Sequence, residues 1–420
     1  MAAIQRGAAD PGALVDSSEA RGPRNITLVI SSLSMGGAER MMSTLAGYWA
    51  THGKKVTLIT LAAESTDFWK IDPGIARVAL NLIGESSNPV RAIVSNLYRI
   101  FRLRKAIRAS KPDVVLSFLE TPNILALIAC RGFSIPVLVA ERCDAARLPP
   151  EQPWSILRRW SYPLAYRVIV QTERAKIALL NELGARTVVI PNPVTEPAYD
   201  SPESQDMREH LGSESPDIRD HPGSVSQDMR DHPGSVRPRV AAVGRLQKQK
   251  RFDLLLRAFA IVKDRHPEWR LDILGEGSLR TELEALRDEL GLKDRLGLPG
   301  RISNVPAALR ESDLFVLSSD YEGFPNALCE AMACGLAVIA TDCPSGPREI
   351  IRDGVDGLLT PPGDVETLAA AMDRLMSSDE VRERLGRRAV EVLERFGLEK
   401  VMGMWDDLFV EAAGSPRTGT

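Results

Sequence analysis

The sequence is poor in cysteine and carries little net charge. Five cysteines occur in 420 residues, and no two of them form a Cys-x-x-Cys pair. An odd number of unpaired cysteines argues against a disulfide framework and indicates free thiols in a reducing compartment. The formal net charge of −3 argues against a general nucleic-acid-binding protein. We therefore expect a cytoplasmic protein with no nucleic-acid partner.

Long uninterrupted apolar runs are also missing. Residues 1–24 have no apolar core of signal-peptide length and are rich in Ala, Gly and Pro, which predicts a disordered tail. The most apolar window, 122–140, is interrupted by Arg131, Gly132 and Pro136 and is too broken to span a bilayer. Membrane association is therefore expected to be peripheral.

What the sequence does contain is the rhythm of an α/β protein, which occurs twice. Apolar strand-like runs alternate with helical patterns over residues 25–198 and again over 238–395. This predicts two Rossmann-like, doubly wound parallel-sheet domains that face each other across a cleft. The strands are predicted at 25–31, 55–61, 113–119, 136–140, 167–172, 239–244, 270–275, 313–319 and 336–341.

Between the halves, residues 199–237 contain an imperfect tandem duplication with almost no large apolar side chains. Such a segment cannot repay its ordering entropy, so we predict a disordered linker insertion. His221 and His232 within it are read as part of the low-complexity repeat and not as a metal or switch site. Residues 396–412 are predicted to form a C-terminal helix that packs back on the N-terminal domain, and 413–420 a tail.

Glycines follow several predicted strands: Gly36 and Gly37, Gly244, and Gly275. Glycine lets the backbone approach a ligand, and helix N-termini favour anions. The spacing differs from the G-x-G-x-x-G fingerprint, which argues against a dinucleotide-dependent oxidoreductase. After Gly244 come Arg245 and Lys250, a pair of cations suited to a diphosphate. A solvated basic turn is the alternative.

The stretch "YEGFPNALCEAMACG", residues 321–335, predicts a short helix over 326–334. Proline suits the first helical position and glycine suits the residue after the end. The first amides of this helix, at 326–328, point to an anion site. Glu322 lies before the helix and Glu330 within it, so the two carboxylates are expected to contact different parts of a ligand.

These motifs resemble the signature of the family 4 retaining glycosyltransferases, which have the GT-B fold. The resemblance rests on three motifs: the Glu-x7-Glu spacing of Glu322 and Glu330, the G-R-L-x-x-x-K stretch at 244–250, and the Gly-Gly loop at 36–37. The resemblance implies that Glu330 binds the ribose and Glu322 the donor sugar, while Arg245 and Lys250 hold the diphosphate. It implies a donor site made of Gly36, Gly37, Arg245, Lys250, Gly275, Gly323, Phe324, Asn326, Ala327, Leu328 and Glu330, with Glu322, Arg245 and Lys250 catalytic.

The stretches "GGAER" at 36–40 and "SGPREII" at 345–351 are similar to those of the subgroup that extends lipid-linked oligosaccharides or exopolysaccharide repeats. This implies a UDP-sugar donor, a polyprenyl-diphosphate-linked saccharide acceptor and no bound metal or other cofactor. Acceptor-side candidates are Glu39, Glu141 and Arg142. A sugar-nucleotide epimerase of the same architecture, a glycosyltransferase with a soluble acceptor, and an inactive nucleotide-binding module remain alternatives.

A basic amphipathic stretch over 90–111 is the candidate membrane contact. Its apolar residues fall mostly on one helical face with arginines opposite, an arrangement typical of a helix lying on an anionic membrane surface. The alternative is that the apolar face packs on the N-terminal sheet and the arginines are merely solvated. A second patch at 154–167 combines Trp154, Trp160 and Tyr162 with two arginines, and buried core is an equal alternative for it.

Overall fold

The structure, a computed structural model, describes residues 22–83, 89–142, 153–183, 186–197, 237–302 and 304–414. The predicted N-terminal tail lies outside these residues up to residue 21, and the predicted C-terminal tail from residue 415. The predicted linker insertion, with its two histidines, lies outside them up to residue 236.

The N-terminal domain contains a parallel sheet of seven strands in the order β3-β2-β1-β4-β5-β6-β7. This is the order produced when two βαβαβ halves wind outward from the centre. The strands are β1 (Asn25–Ile30), β2 (Lys55–Thr60), β3 (Ala76–Ala79), β4 (Val114–Phe118), β5 (Val137–Ala140), β6 (Arg167–Val170) and β7 (Thr187–Val189). The helices are α1 (Gly37–Thr51), α2 (Pro89–Ser110), α3 (Glu120–Ala129), α4 (Trp154–Ser161) and α5 (Glu173–Leu183), with 3₁₀ turns at Glu64–Thr66 and Tyr162–Leu164.

The C-terminal domain repeats the plan with six parallel strands in the order β10-β9-β8-β11-β12-β13. They are β8 (Arg239–Val243), β9 (Arg270–Leu274), β10 (Leu296–Gly300), β11 (Leu314–Leu317), β12 (Ala337–Thr341) and β13 (Leu358–Thr360). Its helices are α6 (Phe252–Val262), α7 (Arg280–Glu289), α8 (Val305–Arg310), α9 (Asn326–Ala333), α10 (Pro347–Ile350), α11 (Val365–Met376), α12 (Asp379–Ala389) and α13 (Val392–Phe396), with a 3₁₀ turn at Lys248–Lys250. The two sheets confirm the predicted α/β class.

Each sheet is buried on both faces, which explains why its strands are continuous apolar runs. In β1, Ile26, Leu28 and Ile30 enter one core cluster while Val29 enters the cluster on the opposite face. Successive side chains of a strand point to opposite faces, so an uninterrupted apolar strand indicates helices on both sides. The strand runs therefore identified the doubly wound sheet correctly.

The last helix, α14 (Leu398–Gly414), follows the C-terminal domain in sequence but packs on the N-terminal one. Its Trp405 and Phe409 are buried against Trp49 of α1, with ring centroids 6.3 and 4.9 Å from the Trp49 ring. The chain therefore crosses between the domains twice, before β8 and before α14, and both crossings help to set the domain orientation. In the part of the chain that the structure describes, no helix is long and apolar enough to cross a membrane.

The strand order in each domain reverses between its first and fourth strands, β1 and β4 or β8 and β11. Ligands of open parallel sheets bind beyond the carboxyl ends of the strands at such switch points. The loops after β1 and β8 and the N-terminus of α9 meet there, in the cleft between the domains.

Candidate active site

Lys250 and Glu322 form one unit in the cleft. Lys250 Nζ donates to Glu322 Oε1 over 2.7 Å, and Ser319 Oγ donates to the same oxygen over 2.6 Å. Glu322 is 6% exposed, so these two donors replace water as hydrogen-bond partners of its carboxylate. The sequence placed the two residues in separate roles. In the structure they are coupled, since the cation predicted to hold the diphosphate bonds to the carboxylate predicted to contact the sugar.

The loop after β8 is shaped by a close approach between two backbone turns. Gly275 has φ +155°, and a Cβ there would collide with the carbonyl oxygen of Gly244. Lys250 passes over the same turn, with Cε 2.9 Å from the position of a Cβ on Gly244. Gly275, predicted to bind the donor, is thus required for packing this turn, and the turn aims Lys250 at the cleft.

Arg245 lies at the carboxyl end of β8 with its side chain exposed. Among the described residues no hydrogen-bond partner for its guanidinium is found. Across the cleft is Glu39, whose carboxylate folds back over Gly36 at the N-terminus of α1. Burial raises the pKa of Glu39, while a hydrogen bond to its own backbone and, to a smaller extent, the charge of Arg245 oppose that rise. The predicted acceptor-side residue and the predicted diphosphate cation therefore lie within electrostatic reach of each other.

The N-terminus of α9 also opens into the cleft. Pro325 is the residue before the helix, and Leu328 N–H bonds to the Pro325 carbonyl over 3.1 Å. The prediction that three amides are available is wrong for Leu328. Asn326 and Ala327 keep backbone N–H groups with no acceptor among the described residues. A Cβ on Gly37 would lie 3.4 Å from Asn326 Nδ2, so the N-termini of α1 and α9 approach each other and together favour an anion.

Two further predicted donor residues have other roles. Phe324 is 7% exposed and packs edge-on against Phe396, with ring centroids 5.6 Å apart. The ring of Phe324 therefore lies in the interior, and the assignment of this residue to the donor site stays a prediction. A Cβ on Gly323 would lie 2.9 Å from the carbonyl oxygen of Arg142. Gly323 thus permits close contact with the end of β5 in the other domain.

Glu330 is paired with a residue that the sequence analysis did not assign. Arg40 of α1 donates through Nη1 to Glu330 Oε1, across the interface between the domains. Burial raises the pKa of Glu330, and the Arg40 charge opposes that rise. Arg40 stood in the "GGAER" motif, which was the only local signal for it. A pocket beside this pair is lined by Arg40, Thr44, Thr195, Asn326 and Glu330.

The two acceptor-side candidates after β5 are internal. Glu141 is 6% exposed and accepts a hydrogen bond from the Tyr162 hydroxyl, with Arg158 Nε 3.8 Å away. The Glu141 carboxylate therefore lies in the interior of the N-terminal domain, and its role as an acceptor contact stays a prediction. The second candidate, Arg142, stacks its guanidinium over Phe118 at 3.8 Å, and burial lowers the pKa of Arg142 to about 9.

Arg142 begins a hydrogen-bond chain that crosses the cleft. Its Nη1 donates to Asn192 Oδ1 over 2.8 Å, and Asn192 Nδ2 donates to Asn326 Oδ1 over 2.7 Å. Asn192 lies on the crossing between the domains and was not predicted. The chain ties the end of β5 to the first residue of α9, so Arg142 helps to position this helix.

The buried role of Glu141 gives a stability prediction. Tyr162→Phe removes a donor from a buried carboxylate and is expected to lower the free energy of unfolding by about 1–3 kcal/mol. Tyr166→Phe is the matched control, because the Tyr166 hydroxyl bonds to Glu411 at the surface. Chemical denaturation measures both. Equal stability of the two variants would contradict the structural role.

No group of three or more His, Cys, Asp or Glu side chains able to hold a metal ion occurs in the described ranges. The charged and polar groups described above are Arg245, Lys250, the α9 amides and the two glutamates. Cations and helix N-termini stabilise a developing phosphate charge, and buried carboxylates bind hydroxyl groups.

Comparison with known proteins decides the family. Residues 35–196 match the family model described as Glycosyltransferase Family 4, and residues 229–392 match the one described as Glycosyl transferases group 1. The two matches are separated by residues 197–228 and together take in most of the chain. The chain belongs to the family 4 glycosyltransferases. The predicted family is confirmed, and the site above is the interdomain cleft of this glycosyltransferase.

Two similar relatives come from Campylobacter jejuni. One is a GalNAc-alpha-(1->4)-GalNAc-alpha-(1->3)-diNAcBac-PP-undecaprenol alpha-1,4-N-acetyl-D-galactosaminyltransferase, 28% identical over 92% of this chain and 98% of its own length. The other is an N-acetylgalactosamine-N,N'-diacetylbacillosaminyl-diphospho-undecaprenol 4-alpha-N-acetylgalactosaminyltransferase, 26% identical over 90% of this chain and 97% of its own. Among solved structures, HepE of Anabaena in complex with UDP is 18% identical with a TM-score of 0.69, covering 92% of this glycosyltransferase and 100% of that chain. This likeness supports the GT-B fold.

Proposed function

We propose that the protein is a retaining glycosyltransferase that moves a hexose or N-acetylhexosamine from a nucleoside-diphosphate sugar to a hydroxyl of a polyprenyl-diphosphate-linked saccharide. The observation that carries this proposal is the Lys250–Glu322 pair, which shares the loop after β8 with the exposed Arg245 near the N-termini of α1 and α9. The two C. jejuni relatives, whose names specify undecaprenol-linked acceptors and N-acetylgalactosaminyl transfer, support the choice of acceptor and of an N-acetylhexosamine as the transferred sugar. The choice of UDP as the nucleotide rests on the resemblance of the sequence motifs.

In this mechanism the bond between the anomeric carbon and the donor's β-phosphate oxygen breaks, and negative charge develops on that phosphate. Arg245, Lys250 and the amides of Asn326 and Ala327 stabilise the charge without reorganising. Glu322 orients the sugar and hydrogen-bonds it more strongly as oxocarbenium character develops. The acceptor hydroxyl attacks from the same face as the leaving group, and a phosphate oxygen of the donor takes its proton. The anomeric configuration is then retained.

Peripheral membrane contact through α2, at the inner face of the cell membrane, completes the proposal. Ile93, Val94, Leu97 and Phe101 form a stripe along α2, and each is 60–63% exposed. Leu103 and Ile107, further along the helix, are fully buried and hold it on the sheet. Exposed basic side chains, Arg91, Lys105 and Arg108, lie beside the stripe. Apolar side chains flanked by cations suit an anionic bilayer.

The aromatic patch at 154–167 supports the same membrane-facing surface. On α4, Trp160 is 78% exposed and Ile156 is 48% exposed. Both α2 and α4 pack against α3, so their exposed side chains lie on one side of the N-terminal domain. Tryptophan beside arginine is typical of the membrane–water interface.

The membrane proposal predicts that Leu97→Ser combined with Phe101→Ser lowers binding to phosphatidylglycerol vesicles about tenfold or more, because two apolar side chains no longer insert. Cosedimentation measures the binding. Ile177→Ser with Leu180→Ser is the control, since these α5 side chains are also exposed but lie outside the α2 stripe. Equal binding by both double variants would contradict a role for α2.

The transferase proposal is tested by nucleoside diphosphate release from a panel of UDP- and GDP-sugars, with and without a bacterial polyprenyl-diphosphate-saccharide fraction. We expect release from one donor that rises with the lipid fraction. Release that does not change with the lipid fraction but rises with a soluble saccharide would show that the acceptor is soluble and not lipid-linked. Binding of UDP or GDP without any release would favour the epimerase or binding-module alternatives.

A further inference from the structure

Both groups that the proposed function assigns to the donor nucleotide face charged side chains of a single helix turn. Glu330, the proposed ribose ligand, accepts from Arg40. Arg245, the proposed diphosphate cation, lies within electrostatic reach of Glu39. Glu39 and Arg40 are consecutive residues of α1, and their charges are opposite to those of the groups they face.

The Arg40–Glu330 pair has features beyond those of an ordinary surface ion pair. Its partners are 290 positions apart and belong to different domains, and Glu330 is 16% exposed against 37% for Arg40. α1 itself is fixed to the N-terminal core by Met42, Leu45 and Trp49, all fully buried. The pair is therefore a link between two separately folded bodies, formed at the rim of a ligand cleft.

Glu39, the preceding residue of α1, lies against the Gly36–Gly37 loop. Its carboxylate lies over Gly36, at the N-terminus of α1, where the helix dipole favours an anion. A diphosphate bound between the N-termini of α1 and α9 would lie over Gly36 as well. The Glu39 carboxylate and the diphosphate would therefore compete for the same position.

We propose that Glu39 and Arg40 occupy the donor site of the empty enzyme and that the nucleotide displaces both. This inference rests on the proposed function. The ribose hydroxyls replace Arg40 on Glu330, and the diphosphate replaces Glu39 beside Arg245. Until then α1 holds the two domains together by charges that imitate the donor, and the breaking of the Arg40–Glu330 link lowers the measured affinity for the nucleotide.

The test is UDP binding by titration calorimetry to the wild-type full chain and to Arg40→Gln, Glu39→Gln and the double variant. We expect Arg40→Gln to bind UDP about fivefold more tightly, equivalent to about 1 kcal/mol. Glu39→Gln is expected to bind UDP more tightly as well, and the double variant more tightly still. Arg167→Gln is the control, because Arg167 is the first residue of β6 and pairs with Glu411 at the amino ends of the strands, away from the cleft. Unchanged or weaker binding by Arg40→Gln would overturn the inference, since Arg40 would then assist the nucleotide.

A nucleotide-free measurement separates this inference from the proposed function. Small-angle X-ray scattering of the empty protein is expected to show a more open average shape for Arg40→Gln than for wild type or Arg167→Gln. Identical scattering would overturn the link between the domains. If neither UDP nor GDP binds to any variant, the displacement and the proposed donor site both fall. If UDP binds with equal affinity to wild type and Arg40→Gln, only the inference falls.

Discussion

Lys250→Ala is expected to lower the turnover number about 10²- to 10³-fold. The loss arises because Lys250 stabilises charge that develops on the leaving phosphate, and removal of one such preorganised group has an effect of this size. Lys250 also fixes Glu322 through a 2.7 Å contact, so the sugar-orienting carboxylate is disturbed by the same change. Steady-state release of nucleoside diphosphate, with donor and acceptor both saturating, measures the effect.

The matched control is Lys248→Ala, which removes an exposed lysine from the same 3₁₀ turn. Its turnover should stay within about twofold of wild type, because surface charges interact weakly through water. The free energy of unfolding is measured in parallel, since the uncompensated Glu322 charge destabilises the Lys250→Ala fold. A turnover of Lys250→Ala equal to that of Lys248→Ala would remove Lys250 from the mechanism.

Glu330→Ala is expected to weaken UDP binding about tenfold or more. Hydrogen bonds to a charged group contribute about 1.5–3 kcal/mol each, and two ribose hydroxyls are assigned to this carboxylate. The loss is larger than the gain from releasing Arg40, so the net change remains unfavourable. Titration calorimetry with UDP measures it directly.

Glu322→Gln gives the contrast at the other end of the site. UDP lacks the transferred sugar to which Glu322 is assigned, so this variant should bind UDP as wild type does while its turnover falls. Equal UDP affinity in wild type and Glu330→Ala would remove the ribose assignment. Weakened UDP binding in Glu322→Gln would instead show that the two carboxylates do not divide the donor between them.

The sequence predicted those helices and strands whose position depends only on residues close together in the chain. Pro325 and Gly335 bracket α9, and the helix ends at Ala333, one residue before the predicted end. The central strands were evident because both faces are buried. Short edge strands such as β3 and β13, of four and three residues, were not predicted because they carry too few apolar positions to form a pattern.

The contacts across the cleft could not be predicted from residues that are close together in the sequence. Arg40 and Glu330 meet over 290 positions, and Asn192 reaches Asn326 over 134. Neither pairing follows from spacing within one element, because each depends on how the two domains are oriented. The interior position of Glu141 could not be predicted from its neighbours in sequence either, since it depends on Tyr162, 21 positions later in the same domain.

The product of the reaction tests the central claim most directly. A lipid-linked saccharide is incubated with the donor that supports release, and the purified product is examined by mass spectrometry and by NMR of its new anomeric centre. The account predicts a gain of one sugar residue whose anomeric configuration equals that of the donor. An inverted configuration would contradict the retaining mechanism, and an unchanged acceptor beside an epimerised sugar nucleotide would contradict glycosyl transfer itself.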